Sequence, residues 1–195
     1  MKKYIAELIG TFALTLAVAL SLAGSFPVST PVIAALTLGL FVYSIGHISG
    51  THINPAVTIG AWFIKKINFI DALFYIVFQI LGAILAIIVS HLMITATSLT
   101  VSSSLPTLFA ELLGTFFFTF GIASVIYNKT PSVMSGIVIG GSLLLGISVA
   151  SILSNGVLNP AVALGINSFS LAYVFGPIFG SILGMSTYKI LSREK

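Results

Sequence analysis

The chain has 195 residues, 57% of them hydrophobic and only 6% charged, at a mean hydropathy of +1.17. Soluble domains carry about a quarter charged residues, so a water-facing globule is excluded and the chain reads as dissolved in lipid. Its net charge of +4 rests on a few scattered basic residues, a poor nucleic-acid surface, and the lack of cysteine excludes disulfides and thiolate metal sites.

At ~20 apolar residues per crossing the length allows about seven or eight spans at most. That leaves no room for a separate soluble domain, so residues 1–195 are read as one transmembrane domain. Met1-Lys2-Lys3 followed by an apolar run resembles a secretory leader. The run is too long for a leader's core, holds Glu7 and is followed by comparable segments, so it is read as a first span. Apolar runs between turn residues then predict six long helices, at 4–22, 32–48, 69–94, 106–127, 133–153 and 169–191. Two shorter pieces, 55–64 and 160–166, give ~15 Å of helix or less. Neither can cross a bilayer alone.

With the N-terminus inside and six crossings, Lys2, Lys3, Lys65, Lys66, Lys129, Lys189, Arg193 and Lys195 all fall on one side. The excess of Lys and Arg in cytoplasmic loops therefore predicts that both termini are cytoplasmic. The halves also echo each other. Ala6-Glu7-Leu8-Ile9-Gly10-Thr11-Phe12 returns as Ala110-Glu111-Leu112-Leu113-Gly114-Thr115-Phe116, and Asn54-Pro55-Ala56-Val57 as Asn159-Pro160-Ala161-Val162. Three spans per half, an odd number, make the second copy upside down, giving inverted repeats of approximately 1–97 and 106–195. Such repeats, each with an interrupted segment, point to a permeation site near the bilayer midplane.

Asn before Pro is a helix start: Asn caps through its side-chain oxygen, and Pro in the first turn gives up an amide that had no partner. The two short pieces thus read as half-helices dipping in from opposite sides. Their N-termini would meet near the centre, each bringing about half a positive unit charge. Cations meet a barrier there, and neutral water does not. With its oxygen occupied, each Asn is expected to turn its NH2 group into a pore. The extended stretches Gly50-Thr51-His52-Ile53 and Asn155-Gly156-Val157-Leu158 cannot face lipid with unpaired backbone, so their carbonyls are expected to line that pore.

The segment His47-Ile48-Ser49-Gly50-Thr51-His52-Ile53-Asn54-Pro55-Ala56-Val57-Thr58 resembles the first signature of aquaporins, the major intrinsic proteins. Phe78-Gln79-Ile80-Leu81-Gly82-Ala83 is similar to their third span, and Tyr173-Val174-Phe175-Gly176-Pro177-Ile178-Phe179-Gly180 to their sixth. The likeness runs over essentially the whole chain. It implies an all-α membrane protein, a right-handed bundle of six transmembrane helices plus two half-helices. It further implies a homotetramer with one pore per subunit and diffusion without energy coupling. His52 is expected to face the cytoplasmic half of the pore.

The chain departs from this pattern at the outer constriction. Where most aquaporins carry Arg after the second box stands Val162, followed by Ala163. At the family's spacing the other constriction positions are Ile147, Gly156 and either Ala34 or Leu38. Either choice gives an apolar ring without a charged donor. If narrow, it gates by dewetting; if wide, it admits glycerol, urea or ammonia.

A carboxyl within a span is costly. Glu7 and Glu111, equivalent across the repeat, are read as acceptors holding the irregular backbone before each half-helix. His47 is expected to be a packed helix-end residue and His91 an interfacial one. Gly136, Gly140 with Gly141, and Gly180 with Gly184 are read as helix-packing surfaces rather than phosphate loops. No metal or cofactor constellation and no nucleophile–base pair is visible, so an enzyme is not expected. The reading is a passive channel for water and small neutral solutes, and the compact loops point to a prokaryotic plasma membrane. The alternatives are a coupled transporter or a non-conducting relative.

Overall fold

The computed structural model describes residues 1–24, 26–95 and 99–192; Arg193 and Lys195, two of the basic residues counted above, lie outside them. Four of the seven prolines sit in the first turn of a helix, where their missing amide costs nothing. The helices are α1 (Lys2–Leu22), α2 (Thr30–Ser49), α3 (Pro55–Phe63), α4 (Phe69–Met93), α5 (Leu105–Ile126), α6 (Ser135–Ala150), α7 (Pro160–Gly165) and α8 (Leu171–Leu191). A 3-10 turn at Ser132–Met134 leads into α6.

Six of these, counting the 3-10 turn with α6, are long and apolar enough to cross a membrane. The ends are set by local chemistry. Asn68 caps α4 by accepting from the Asp71 amide, Ser104 caps α5 through the Thr107 amide, and Gly50 closes α2 at φ 85°. The second span is of full membrane-crossing length, at 20 residues.

Helix neighbours recur between the two halves. α1 packs on α2 and α4, as α5 packs on α6 and α8, and α2 meets α6 across the middle. Close approach depends on glycine. A side chain at Gly82 would run into the Leu8 carbonyl of α1, and one at Gly180 into the Leu112 carbonyl of α5. In lipid, where tails are as apolar as leucine, such close packing holds helices together in place of a hydrophobic drive. Gly136, Gly140 and Gly184 are packed in the same way. Gly141 is not: the space around its missing side chain is open, contrary to the expectation that it belongs to a packing surface.

Polarity is inverted relative to a soluble protein. Leu73, Val77, Leu81, Leu85 and Ile88 of α4 are exposed, whereas Glu7, Thr11, Thr15, Gln79, Glu111, Thr115 and Thr119 are 0% exposed. Exposed apolar bands on membrane-length helices make this an integral membrane protein. The short helices lock the halves together: α3 packs on α8, with Gly60 against Ser181, and α7 on α4 and α1, with Gly165 against Thr15.

Candidate functional site

Each half-helix begins at an asparagine whose side chain does two jobs. Asn54 Oδ1 accepts from the Ala56 amide at 2.8 Å, and Asn159 Oδ1 from the amides of Ala161 at 3.1 Å and Val162 at 3.3 Å. With each oxygen capping its own helix, the amide nitrogens reach across to the opposite half. Asn54 Nδ2 donates to the Leu158 carbonyl at 2.9 Å, and Asn159 Nδ2 to the Ile53 carbonyl at 3.0 Å. The tips therefore meet, with Pro55, Ala56, Pro160 and Ala161 buried directly behind them.

This corrects the expectation that each NH2 group turns wholly into a pore. One hydrogen of each NH2 group is spent on a reciprocal clasp, leaving one for anything else. The carbonyls of Ile53 and Leu158 each accept one hydrogen bond from the clasp, which occupies one of the two lone pairs. Their backbone is shaped for it: Ile53 has φ 38° and Leu158 φ 56°. That region costs a residue with a side chain ~1–2 kcal/mol, and it turns the carbonyl toward the other tip.

Behind each tip a buried carboxyl gathers the irregular backbone. Glu7 accepts from Ser49 Oγ at 2.6 Å, the His52 amide at 2.9 Å, the Ile53 amide at 2.6 Å and Gln79 Nε2 at 2.7 Å. Glu111 accepts from Ser154 Oγ at 2.7 Å, the Val157 amide at 3.0 Å and the Leu158 amide at 2.7 Å. A tyrosine braces each stretch: Tyr75 donates to the Ser49 carbonyl at 2.7 Å, and Tyr173 accepts from the Asn155 amide at 2.9 Å. The sequence held an unread signal for this pair, since each tyrosine precedes its packing glycine, Gly82 or Gly180, by seven residues. With the amides turned inward, the carbonyls of residues 50–52 and 155–157 receive no hydrogen bond among the described residues.

A cavity of about 240 Å³ runs from the start of α2 to the clasp. A water occupies ~30 Å³ of liquid, so this space takes several waters or one larger solute. His52, Ile53, Asn54, Asn155, Gly156, Val157, Asn159 and Val162 line it, and so do Ile147 and both Ala34 and Leu38, one helical turn apart on α2. Gly50, Thr51 and Leu158 are not among its walls. The remaining lining was not foreseen: Leu14 and Val18 of α1, Phe118 of α5, Leu143 of α6, Ile166 and Leu99 make the passage mostly apolar. Its polar side chains are Thr30 and Ser151 with Asn155 at one end, and His52, Asn54 and Asn159 at the other.

His52 Nδ1 lies 3.1 Å from Thr58 Oγ1, which also receives Gln79 Nε2 at 2.9 Å, and its ring meets Tyr75 edge-on. Thr58 and Gln79 were not picked out as site residues in sequence, because the pair forms only when α3 and α4 pack. His47 is exposed near the end of α2, not packed as expected, and His91 is exposed in the last turn of α4.

Six membrane-length helices and two short ones meeting at capped tips beside an elongated cavity define a membrane-embedded channel, not an enzyme. The major intrinsic protein family matches residues 1–188. The chain is 32% identical to aquaporin AqpM of Methanothermobacter thermautotrophicus over 177 residues, covering 78% of this chain and 72% of that one. It is 31% identical to glycerol uptake facilitator protein-like 6 of Lactiplantibacillus plantarum over 215 residues, covering 100% of both. The aquaglyceroporin structure from Plasmodium falciparum superposes with a TM-score of 0.64 at 21% identity, covering 96% of this chain and 93% of that one. The chain belongs to the major intrinsic protein family.

Proposed function

We propose that water and small neutral solutes of the glycerol, urea and ammonia class cross the membrane passively through this cavity and past the clasped asparagines. The single observation that carries the reading is the reciprocal Asn54–Leu158 and Asn159–Ile53 pairing, which brings two helix N-termini to one point. Both positive dipole ends then face the same short stretch of path. Cations and protons are turned back there, while one remaining N–H on each Asn hands a neutral solute onward. Pro55, Ala56, Pro160 and Ala161 hold the tips, and Glu7 and Glu111 hold the backbone feeding them.

Ala34, Leu38, Ile147, Gly156 and Val162 form the constriction in this reading. No charged donor stands among them, so the ring selects by width and dryness, and solutes larger than water are admitted. The unpaired carbonyls of residues 50–52 and 155–157 serve as acceptors along the path, with His52 beside the first box. The recurring helix neighbours and the matched sequence motifs support inverted repeats of approximately 1–97 and 106–195. One-sided basic residues support cytoplasmic termini, and archaeal and bacterial relatives support a prokaryotic plasma membrane. Four subunits, each with its own pore, complete the assembly.

Proteoliposomes exposed to sucrose, glycerol or urea gradients test this. Water efflux under sucrose above that of empty liposomes, and re-swelling with glycerol, are the expected results. Val162→Arg adds a bulky donor to the constriction and is expected to lower glycerol flux several-fold. Unchanged glycerol flux in that variant would remove residue 162 from the constriction.

A further inference from the structure

The end of the cavity away from His52 has an unusual hydrogen-bond balance. Ser151 and Asn155 stand there beside Gly156, where a side chain would collide with Ser151 Oγ. Ser151 spends its only hydrogen on the Ile147 carbonyl at 2.7 Å. Asn155 spends both amide hydrogens, on the Thr100 carbonyl at 3.1 Å and Ser168 Oγ at 2.7 Å, and its backbone amide goes to Tyr173. The Thr100 carbonyl can only accept, which fixes the orientation of the Asn155 amide. Asn155 Oδ1 has no partner among the described residues. The next three amides are also committed, Gly156 to Ser154 Oγ at 2.9 Å and Val157 and Leu158 to Glu111.

At Ser151 and Asn155 side-chain acceptors are thus left over while the hydrogens of the same groups are used up; Thr30, at the same end, pairs with Ser21 at 2.9 Å. Deeper in, Ile147 and Val162 add no donor. We propose that Ser151 and Asn155 form a solute-binding site that selects neutral molecules carrying N–H or O–H donors over equally small molecules that can only accept. The site rests on the channel reading given above and narrows its solute class. An acceptor-only solute gains no replacement partner from Ser151 or Asn155 for the water it sheds. A donor-bearing solute regains one or two hydrogen bonds, each worth about 1 kcal/mol net. At tenfold per 1.4 kcal/mol this makes about a fivefold preference or more.

Urea and dimethyl sulfoxide have the same number of heavy atoms, and only urea has N–H groups. Stopped-flow light scattering on proteoliposomes, with the flux of empty liposomes subtracted, gives the urea-to-dimethyl-sulfoxide ratio. The wild-type ratio is expected at about five or above. Ser151→Ala, which disturbs only a bond within its own helix, should lower it about twofold, and Asn155→Leu about fivefold. Should Asn155→Leu fail to reconstitute, Ser151→Ala decides. A wild-type ratio near one, or a ratio that Ser151→Ala leaves unchanged, overturns the site while the channel stands. No flux of water or either solute above empty liposomes would overturn both.

Discussion

The two cradles behind the half-helices share a carboxyl, a serine, a tyrosine and a pair of backbone amides, yet they are not equally built. Glu7 takes four donors and Glu111 three. The difference is Gln79, which joins Glu7 to Thr58 and through it to His52. Three residues before Gly180, in the register that Gln79 holds before Gly82, stands Pro177, and the residues matching Thr58 and His52 are Ala163 and Val157. The Glu7 network therefore reaches on through Gln79 and Thr58 to a cavity-lining histidine, whereas apolar or alanine side chains stand at the matching positions beside Glu111. The two tips share one clasp geometry, and this chain reaches it with different side chains around them.

Replacing the carboxyls should expose the asymmetry most strongly. Glu7→Leu strands Ser49 and two amides and takes one of the two bonds of Gln79, which keeps Thr58; Glu111→Leu strands two amides, while Ser154 keeps the Ala150 carbonyl. An unsatisfied buried donor costs about 1–3 kcal/mol, so both variants should lose most folded protein, Glu7→Leu by about 1 kcal/mol more. Reversible unfolding in mixed micelles measures this; equal losses would mean that the bonds of Ser49 and Gln79 to Glu7 add nothing. A smaller effect is expected from Gln79→Leu. Gln79 Oε1 has no partner among the described residues, so leucine removes an unpaired acceptor along with the two bonds. The net loss should be about 1 kcal/mol, in line with polar contacts between membrane helices. Pro177→Leu removes no hydrogen bond and should cost less than Gln79→Leu; the reverse order would break the comparison.

The spans and boxes were legible because they depend on local chemistry: apolar run length, Asn before Pro, and matching motifs 104 and 105 residues apart. Which face of a span points inward was not legible. In lipid both faces are apolar, so hydrophobicity did not separate exposed His47 and open Gly141 from packed positions. The clasp was also hidden, because a spare N–H finds a carbonyl only once the tip separation is known. The Gln79–Thr58–His52 chain likewise needs two helices brought together. Ala34 against Leu38 was a choice the fold did not require, since a cavity running along α2 meets successive turns of one face.

The central claim, a solute path running past Val162 to the asparagine tips, has a direct test because the chain contains no cysteine. Val162→Cys is reconstituted and treated with methyl methanethiosulfonate, and water and glycerol fluxes are measured before and after. The account predicts that labelling removes most of the channel flux, while wild type is unaffected and Gly141→Cys, outside the cavity, conducts as before. A Val162→Cys protein shown by mass to be labelled, yet conducting at its original rate, would contradict it.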